Sequence, residues 1–148
     1  MFDLFFDKMY NDCVEKTRIQ RLTPVALAFI GDAVHTLYVR EYLATASDGV
    51  VGTLHTAASR LVNAKCQAAV MDELLSSNIL TPDEEEVARR AKNAHLHSRA
   101  KAASLTDYHK ATALEAVIGY VHVSGDEERE KTLLRLCLKI GTGLNANG

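Results

Sequence analysis

The sequence contains no tryptophan, only two prolines and only three cysteines among its 148 residues. Cys13, Cys66 and Cys137 are odd in number and far apart, so we expect reduced, mostly buried thiols rather than disulfides or a zinc site. No segment alternates apolar and polar residues with a period of two, and no internal repeat or low-complexity linker divides the chain. These absences argue against a disulfide-rich secreted domain and against a β-sheet protein, and they predict a cytoplasmic location.

Long apolar runs are also absent, so no segment is expected to span a bilayer. The N-terminal segment MFDLFFDKMYND is apolar, but it carries acids from Asp3 onward and no basic region, so it does not resemble a signal peptide. Its large apolar residues recur at helical spacing: Phe2, Phe5, Phe6, Met9 and Tyr10. We therefore expect a short amphipathic helix within residues 1–20, which serves as a lid on the core or as a dimer contact.

The composition predicts one folded domain over residues 1–148. Hydrophobic residues make up 47% of the chain, and a chain of this length buries roughly 68–70% of its unfolded surface. Apolar residues recur at three- and four-residue steps in every long segment, which predicts an all-α fold. The tail at residues 142–148 is expected to be flexible.

The segment at residues 23–40, TPVALAFIGDAVHTLYVR, organises this domain. Thr23 and Pro24 form an N-cap and first-turn pair, and the residues that follow are apolar almost all round, which is typical of a buried helix. Gly31 and Asp32 conflict with that pattern, because glycine weakens a helix interior and an isolated buried carboxylate is costly. Asp32 is thus either paired with an arginine, a cap for a neighbouring helix, or part of a functional site.

A second segment, residues 113–123, repeats this arrangement. In ALEAVIGYVHV, Glu115 is the only acid, and Gly119 follows one turn later. Two apolar helices that each carry one carboxylate and one glycine are expected to cross, because glycines let two backbones approach closely. The two carboxylates would then converge on a shared cation.

The charge distribution predicts a second functional surface. The net charge is −2, yet residues 87–104 contain no acid. We interpret this basic run as a phosphate-contacting surface, although cations near a helix C-terminus also stabilise the helix without any function. Its cations are Arg89, Arg90, Lys92, Arg99 and Lys101. The next candidates are Arg60 and Lys65. A long amphipathic helix is predicted over residues 54–75, and we place both residues, together with Gln67, on its solvent-facing side.

Four ordered motifs resemble the ribonuclease III endonuclease domain, and most closely its Mini-III branch. Residues 28–34, AFIGDAV, are similar to the signature helix of that family, and residues 114–120, LEAVIGY, to its second acidic motif. Residues 62–67, VNAKCQ, and 89–94, RRAKNA, are similar to two further Mini-III segments. The resemblance runs from about residue 22 to about residue 140. It implies a helical bundle without a double-stranded-RNA-binding domain.

The chain also departs from the full-length ribonuclease III pattern. That pattern has acids where this chain has Ala28 and Thr112, and the Mini-III branch lacks them as well. The resemblance implies that Asp32 and Glu115 are the catalytic residues and metal ligands. Two carboxylates suit Mg²⁺, which keeps several waters and takes further oxygens from a phosphate, and Mn²⁺ is a possible substitute.

The resemblance further implies that the substrate is double-stranded RNA, namely precursor stems of 23S-type ribosomal RNA. It also implies a symmetric homodimer, and cleavage that is helped by a ribosomal protein or a folded ribonucleoprotein. One alternative is a catalytically silent RNA-binding or ribosome-assembly dimer on the same fold, and another is an unrelated helical interaction module. His35 is expected to be a core or interface histidine, with a hydrogen bond to Asp32 as the alternative. His95 and His97 are expected to meet phosphates or water.

Overall fold

The computed structural model describes residues 16–94 and 104–147, and these residues form seven α-helices. Their bounds are α1 Lys16–Arg21, α2 Pro24–Ala46, α3 Val51–Val62, α4 Ala64–Ser76, α5 Pro82–Lys92, α6 Leu105–Val123 and α7 Glu127–Ala146. The described residues contain no strand, so the prediction of an all-α fold is confirmed. No helix among them combines the length and the apolar character that crossing a bilayer requires.

The predicted crossing of two glycine-bearing helices is confirmed, and it forms the centre of the fold. A Cβ atom built at Gly31 of α2 would lie 1.6 Å from the carbonyl oxygen of Glu115 on α6, and one built at Gly119 would lie 2.0 Å from the carbonyl oxygen of Leu27. Only glycine leaves room for two backbones at this distance. Because Gly31 opposes residues 115–119 and Gly119 opposes Leu27, the two helices run antiparallel.

Helix α6 is the buried axis around which the others pack. The side chains of Leu114, Val117 and Ile118 are at most 1% exposed, and α4 and α5 also pack against this helix. A smaller cluster, centred on Val39 of α2, Ala58 and Leu61, joins α2 to α3. Burial of such side chains is the main stabilising term of the fold.

Side-chain caps fix where several of the helices begin. Thr23 accepts a hydrogen bond from the backbone N–H of Ala26 at 3.1 Å, and Thr81 forms a reciprocal capping box with Glu84. Glu84 is 1% exposed, and its carboxylate also accepts a hydrogen bond from Arg129 of α7 at 2.8 Å, which compensates the burial of its charge. The start of α5 is thereby tied to the first turn of α7.

The helix predicted over residues 54–75 is wrong, because the structure contains two helices there. The chain adopts an extended conformation at Asn63, and the Asn63 side chain accepts from the backbone N–H of Cys66 at 2.8 Å. This side chain caps α4, so it favours a new helix over continuation of α3.

Most of the tail predicted to be flexible, from residue 142, is helical in the structure. Helix α7 continues to Ala146, and the Asn145 side chain donates to the carbonyl oxygens of Gly141 at 2.9 Å and Arg60 at 3.3 Å. These contacts hold the last turn against the end of α3. Cys66 and Cys137 are free, buried thiols as predicted, whereas Cys13 and most of the predicted N-terminal helix lie outside the described residues.

Candidate active site

Asp32 and Glu115 meet where α2 crosses α6. Each acid lies beside the close backbone contact that Gly31 makes with Glu115, so the crossing brings together two acids that are 83 positions apart in the sequence. Glu115 is half-buried, but Asp32 is exposed, which corrects the expectation that Asp32 is a buried carboxylate. The apolar helix α2 has one face in solvent, and Asp32 lies on that face.

The electrostatics of Glu115 reflect this position. Burial and, to a smaller extent, the negative charge of Asp32 raise the pKa of Glu115 from its ordinary 4.5 to about 7, although hydrogen bonding by Gln67 opposes the shift. A second carboxylate disfavours ionisation of the first only when the two are close. The pair would therefore gain from a cation placed between them.

Asp32 has only a weak partner among the described residues. The Thr36 hydroxyl donates to Oδ1 of Asp32 at a long 3.5 Å, and Asp32 forms no ion pair in the part of the chain that the structure covers. The helix caps in that part use other side chains. The alternative in which Asp32 pairs with an arginine or caps a neighbouring helix therefore receives no support from the described residues.

Gln67 is the residue of this region whose position the sequence did not predict. Gln67 is 2% exposed, so its placement on the wetter side of a helix is wrong. His35 is 3% exposed, and its Nδ1 atom lies 3.2 Å from Nε2 of Gln67. Burial lowers the pKa of His35 to about 4 even though the charge of Asp32 opposes the shift, so the ring is neutral near pH 7. His35 is thus a core histidine, as expected.

The two positions at which the full-length enzyme has further acids do not supply ligands here. Ala28 is 5% exposed and packs in the main core, and the Thr112 hydroxyl donates to the carbonyl oxygen of Tyr108 at 2.9 Å. Within residues 16–94 and 104–147, no group of three or more His, Cys, Asp or Glu side chains has the arrangement of a metal site. A metal at this site would therefore take most of its ligands from water and substrate.

The predicted RNA-binding cations within the described residues fall into two groups. Arg60 and Lys65 line one cavity of about 550 Å³ between the α3–α4 junction and the end of α7. Arg89 is bound to Glu86 through hydrogen bonds of 2.6 and 2.9 Å, and the charge of Arg90 also acts on Glu86. The basic character of α5 is therefore partly neutralised within the helix.

Lys92 is the remaining predicted contact residue that the structure describes. It is exposed and closes α5, and its carbonyl oxygen accepts from Nδ1 of His109 on α6 at 2.8 Å. Arg99, Lys101, His95 and His97 lie outside the described residues.

A bundle of antiparallel helices with one carboxylate on each of two crossing helices is the arrangement expected of a ribonuclease III endonuclease domain. The family model described as the ribonuclease III domain matches residues 25–126, which include both Asp32 and Glu115. The chain belongs to the ribonuclease III domain family, whose members are endoribonucleases, and its similarity to curated relatives lies in the Mini-ribonuclease 3 branch.

The similarity extends over most of each relative. The Mini-ribonuclease 3 of Enterococcus faecalis is 38% identical over 120 residues, which cover 81% of this chain and 91% of the relative. That of Brevibacillus brevis is 42% identical over 130 residues, which cover 87% and 96%. A crystal structure of a protein from Fusobacterium nucleatum superimposes with a TM-score of 0.72 at 30% identity, covering 82% of this chain and 95% of that one.

Proposed function

We propose that this protein is a Mg²⁺-dependent endoribonuclease that hydrolyses double-stranded RNA, with Asp32 and Glu115 as its catalytic residues and metal ligands. The observation that carries the proposal is the α2–α6 crossing, at which the charge of Asp32 raises the pKa of Glu115. An apolar scaffold gains nothing from two like charges at its central helix contact. The alternative of a catalytically silent RNA-binding dimer leaves this pair without a role.

The donor set fits a hydrated Mg²⁺ ion. Mg²⁺ prefers oxygen ligands, retains several waters and binds through one or two carboxylates when a phosphate supplies further oxygens. Asp32 is open to solvent and Glu115 is half-buried, so the site is accessible to a phosphodiester. The bound ion would supply an activated water and stabilise the leaving 3′ oxygen, and Mn²⁺ is a chemically similar substitute.

Recognition of the duplex is assigned to phosphate contacts. The major groove of A-form RNA is too deep and narrow for side chains to read, so binding relies on backbone and shape, and sequence preference should be weak. The charge pattern assigns contacts to Arg89, Arg90, Lys92, Arg99 and Lys101. Arg60 and Lys65 gain support, because they line one cavity and neither forms an ion pair in the described part of the chain. Arg89 loses support, because Glu86 already neutralises it.

A symmetric homodimer is proposed from the exposed face of α2. Val25, Phe29, Ala33 and Leu37 recur every four residues on that face, and Phe29 is 80% exposed while Leu37 is 59% exposed. Apolar side chains of this size in a continuous stripe mark an interaction surface. A twofold axis through the stripe would place the same surface on both subunits and would bring two copies of Asp32 to one assembly, one for each RNA strand.

The physiological substrate proposed is a precursor stem of 23S-type ribosomal RNA, cut in the cytoplasm and in a ribonucleoprotein context. Support for this comes from the similarity to the Mini-ribonuclease 3 branch. A domain that contacts its duplex through a few exposed cations should bind weakly, so help from a ribosomal protein is expected.

The test is incubation of the protein with long double-stranded RNA and, separately, with single-stranded RNA, each with Mg²⁺ and with chelator. We expect cleavage of the duplex only, and only with Mg²⁺. Binding of the duplex without any cleavage would favour the silent scaffold, and absence of both would favour an unrelated interaction module.

A further inference from the structure

The cavity beside Arg60 and Lys65 has features that charge alone does not explain. It has a volume of about 550 Å³ and lies between the α3–α4 junction and the last turn of α7. Ala69 and Leu144 add apolar surface to its lining, and Leu144 is 44% exposed. Cavities that bind small molecules typically measure about 300–1,000 Å³ and are mostly apolar, with a few polar groups that fix the ligand. The lining therefore suits a ligand that has both a charged and an apolar part.

The charged part of that ligand is an anion. No acid is among the described residues that line the cavity, and neither Arg60 nor Lys65 forms an ion pair within residues 16–94 and 104–147. A lysine ammonium binds phosphate as a compact point charge, whereas the planar guanidinium of arginine also offers a face on which a flat ring can stack. Proteins that recognise unpaired RNA stack bases on such guanidinium planes. Phosphate and a flat ring together describe a nucleotide.

Asn145 adds a hydrogen-bond acceptor to the lining of this cavity. Its Nδ2 atom donates to the carbonyl oxygens of Gly141 at 2.9 Å and Arg60 at 3.3 Å, so both amide hydrogens are engaged. Its Oδ1 atom accepts from no donor in the described part of the chain. Every RNA base has at least one N–H group on its Watson–Crick edge, and this edge is accessible only when the base is unpaired. The acceptor therefore favours an unpaired base and does not select one base over another.

We propose that this cavity holds one unpaired nucleotide of the RNA substrate, with its phosphate at Lys65 and its base against Arg60 and Leu144. The inference rests on the proposed function, in which RNA is the substrate, and it names the structural feature that the enzyme prefers in a duplex. Extruding a paired base costs its pairing and stacking energy, and this cost is least for a base that is already unpaired. The cavity shares no residue with the crossing of Asp32 and Glu115, so it acts on binding.

The test compares RNA duplexes of equal length, one fully paired and the others with a single unpaired adenosine at successive positions of one strand. Affinity is measured in chelator, so that binding is observed without cleavage. We expect the wild type to bind at least one bulged duplex about 10-fold more tightly than the paired duplex, which is typical of the contact between one base and a protein. Equal affinity for all of the duplexes would overturn the inference.

Two variants separate the cavity from its charges. Ala69→Phe fills the cavity and Leu144→Ser removes apolar surface from its lining, and both leave Arg60 and Lys65 in place. We expect each variant to bind the bulged duplex no more tightly than the paired one. Ala146→Phe is the matched control, because it adds the same ring to the exposed last turn of α7 at a position outside the lining, and it should keep the preference. Retention of the preference by both cavity variants would contradict the proposed site.

Further results distinguish the RNA from a free nucleotide as the ligand. Adenosine 5′-monophosphate, which has the same phosphate and ring, is titrated into the protein to millimolar concentration, and the methyl signals of Ala69 and Leu144 are followed by NMR. Shifts with the free nucleotide, together with equal affinity for all of the duplexes, would assign the cavity to free nucleotides and overturn its role in RNA binding. Cleavage of duplex RNA without any preference for a bulge would overturn this inference alone, whereas absence of RNA binding would overturn the proposed function as well.

Discussion

Replacing Gly31 with alanine should force apart the two helices that carry Asp32 and Glu115. The new Cβ would lie 1.6 Å from the carbonyl oxygen of Glu115 and 2.8 Å from the backbone nitrogen of Gly119. Non-bonded atoms need roughly 3.5 Å, so α2 and α6 must separate locally by about 2 Å. Because both opposing atoms belong to the backbone, rotation of a side chain does not relieve the clash.

The expected loss of stability follows from two opposing terms. Overpacking of a close contact costs about 3 kcal/mol or more, and the better helix propensity of alanine returns about 1 kcal/mol. A net loss of about 2 kcal/mol corresponds to a fall of about 6 °C in the Tm of a domain of this size. Activity should fall further, because a displacement of about 1 Å in a catalytic group can cost on the order of 100-fold in rate.

Thermal unfolding and single-turnover cleavage measure the two effects. Gly143→Ala is the matched control, because this glycine is also within a helix and nothing lies within 4 Å of its added Cβ. It should stabilise α7 by up to about 1 kcal/mol and leave cleavage unchanged. A Gly31→Ala variant as stable and as active as Gly143→Ala would refute the close crossing.

Three further outcomes are expected. The folded-state pKa of Glu115, about 7, lies above its ordinary 4.5, so ionising this acid costs folding stability progressively between pH 4.5 and pH 7 and in full above pH 7. Urea unfolding should therefore show Glu115→Gln to be more stable than the metal-free wild type by about 3 kcal/mol at pH 8 and equal to it near pH 4. Phe29→Glu should convert the proposed dimer to a monomer in sedimentation equilibrium, and a wild-type chain that sediments as a monomer at micromolar concentration would contradict the dimer. Replacing Arg60 and Lys65 with alanine should weaken duplex binding and flatten its salt dependence, whereas Arg89→Ala should change little, because Glu86 already binds that guanidinium.

The helical class and the central crossing were predictable because their signals are local. Thr23, Pro24 and the capping box at Thr81 mark helix starts within a few residues, and both crossing helices carry a glycine within one turn of an acid. The break at Asn63 was not predictable from periodicity, because the apolar residues keep their spacing through both helices. An asparagine by itself also does not reveal whether its side chain faces solvent or caps the next helix.

The site was only partly predictable, because its remaining features depend on distant segments. Gln67 has the pattern of a solvent-facing residue, and only the structure shows that it is buried and that its amide lies within hydrogen-bond distance of His35, 32 positions away. The solvent exposure of Asp32 and Phe29 could not be predicted from the sequence for a related reason. An apolar stripe that faces solvent has the same composition as one that faces the core, so hydrophobicity alone assigned the whole helix to the interior.

The central claim is that Asp32 and Glu115 form one metal-dependent catalytic site. Its most direct test is single-turnover cleavage of a saturating RNA duplex in Mg²⁺ by the wild type, Asp32→Asn and Glu115→Gln, with duplex affinity and thermal unfolding measured on the same preparations. We expect both variants to fold, to keep most of their affinity for the duplex and to lose cleavage. Cleavage by either variant at a rate near that of the wild type would contradict the claim.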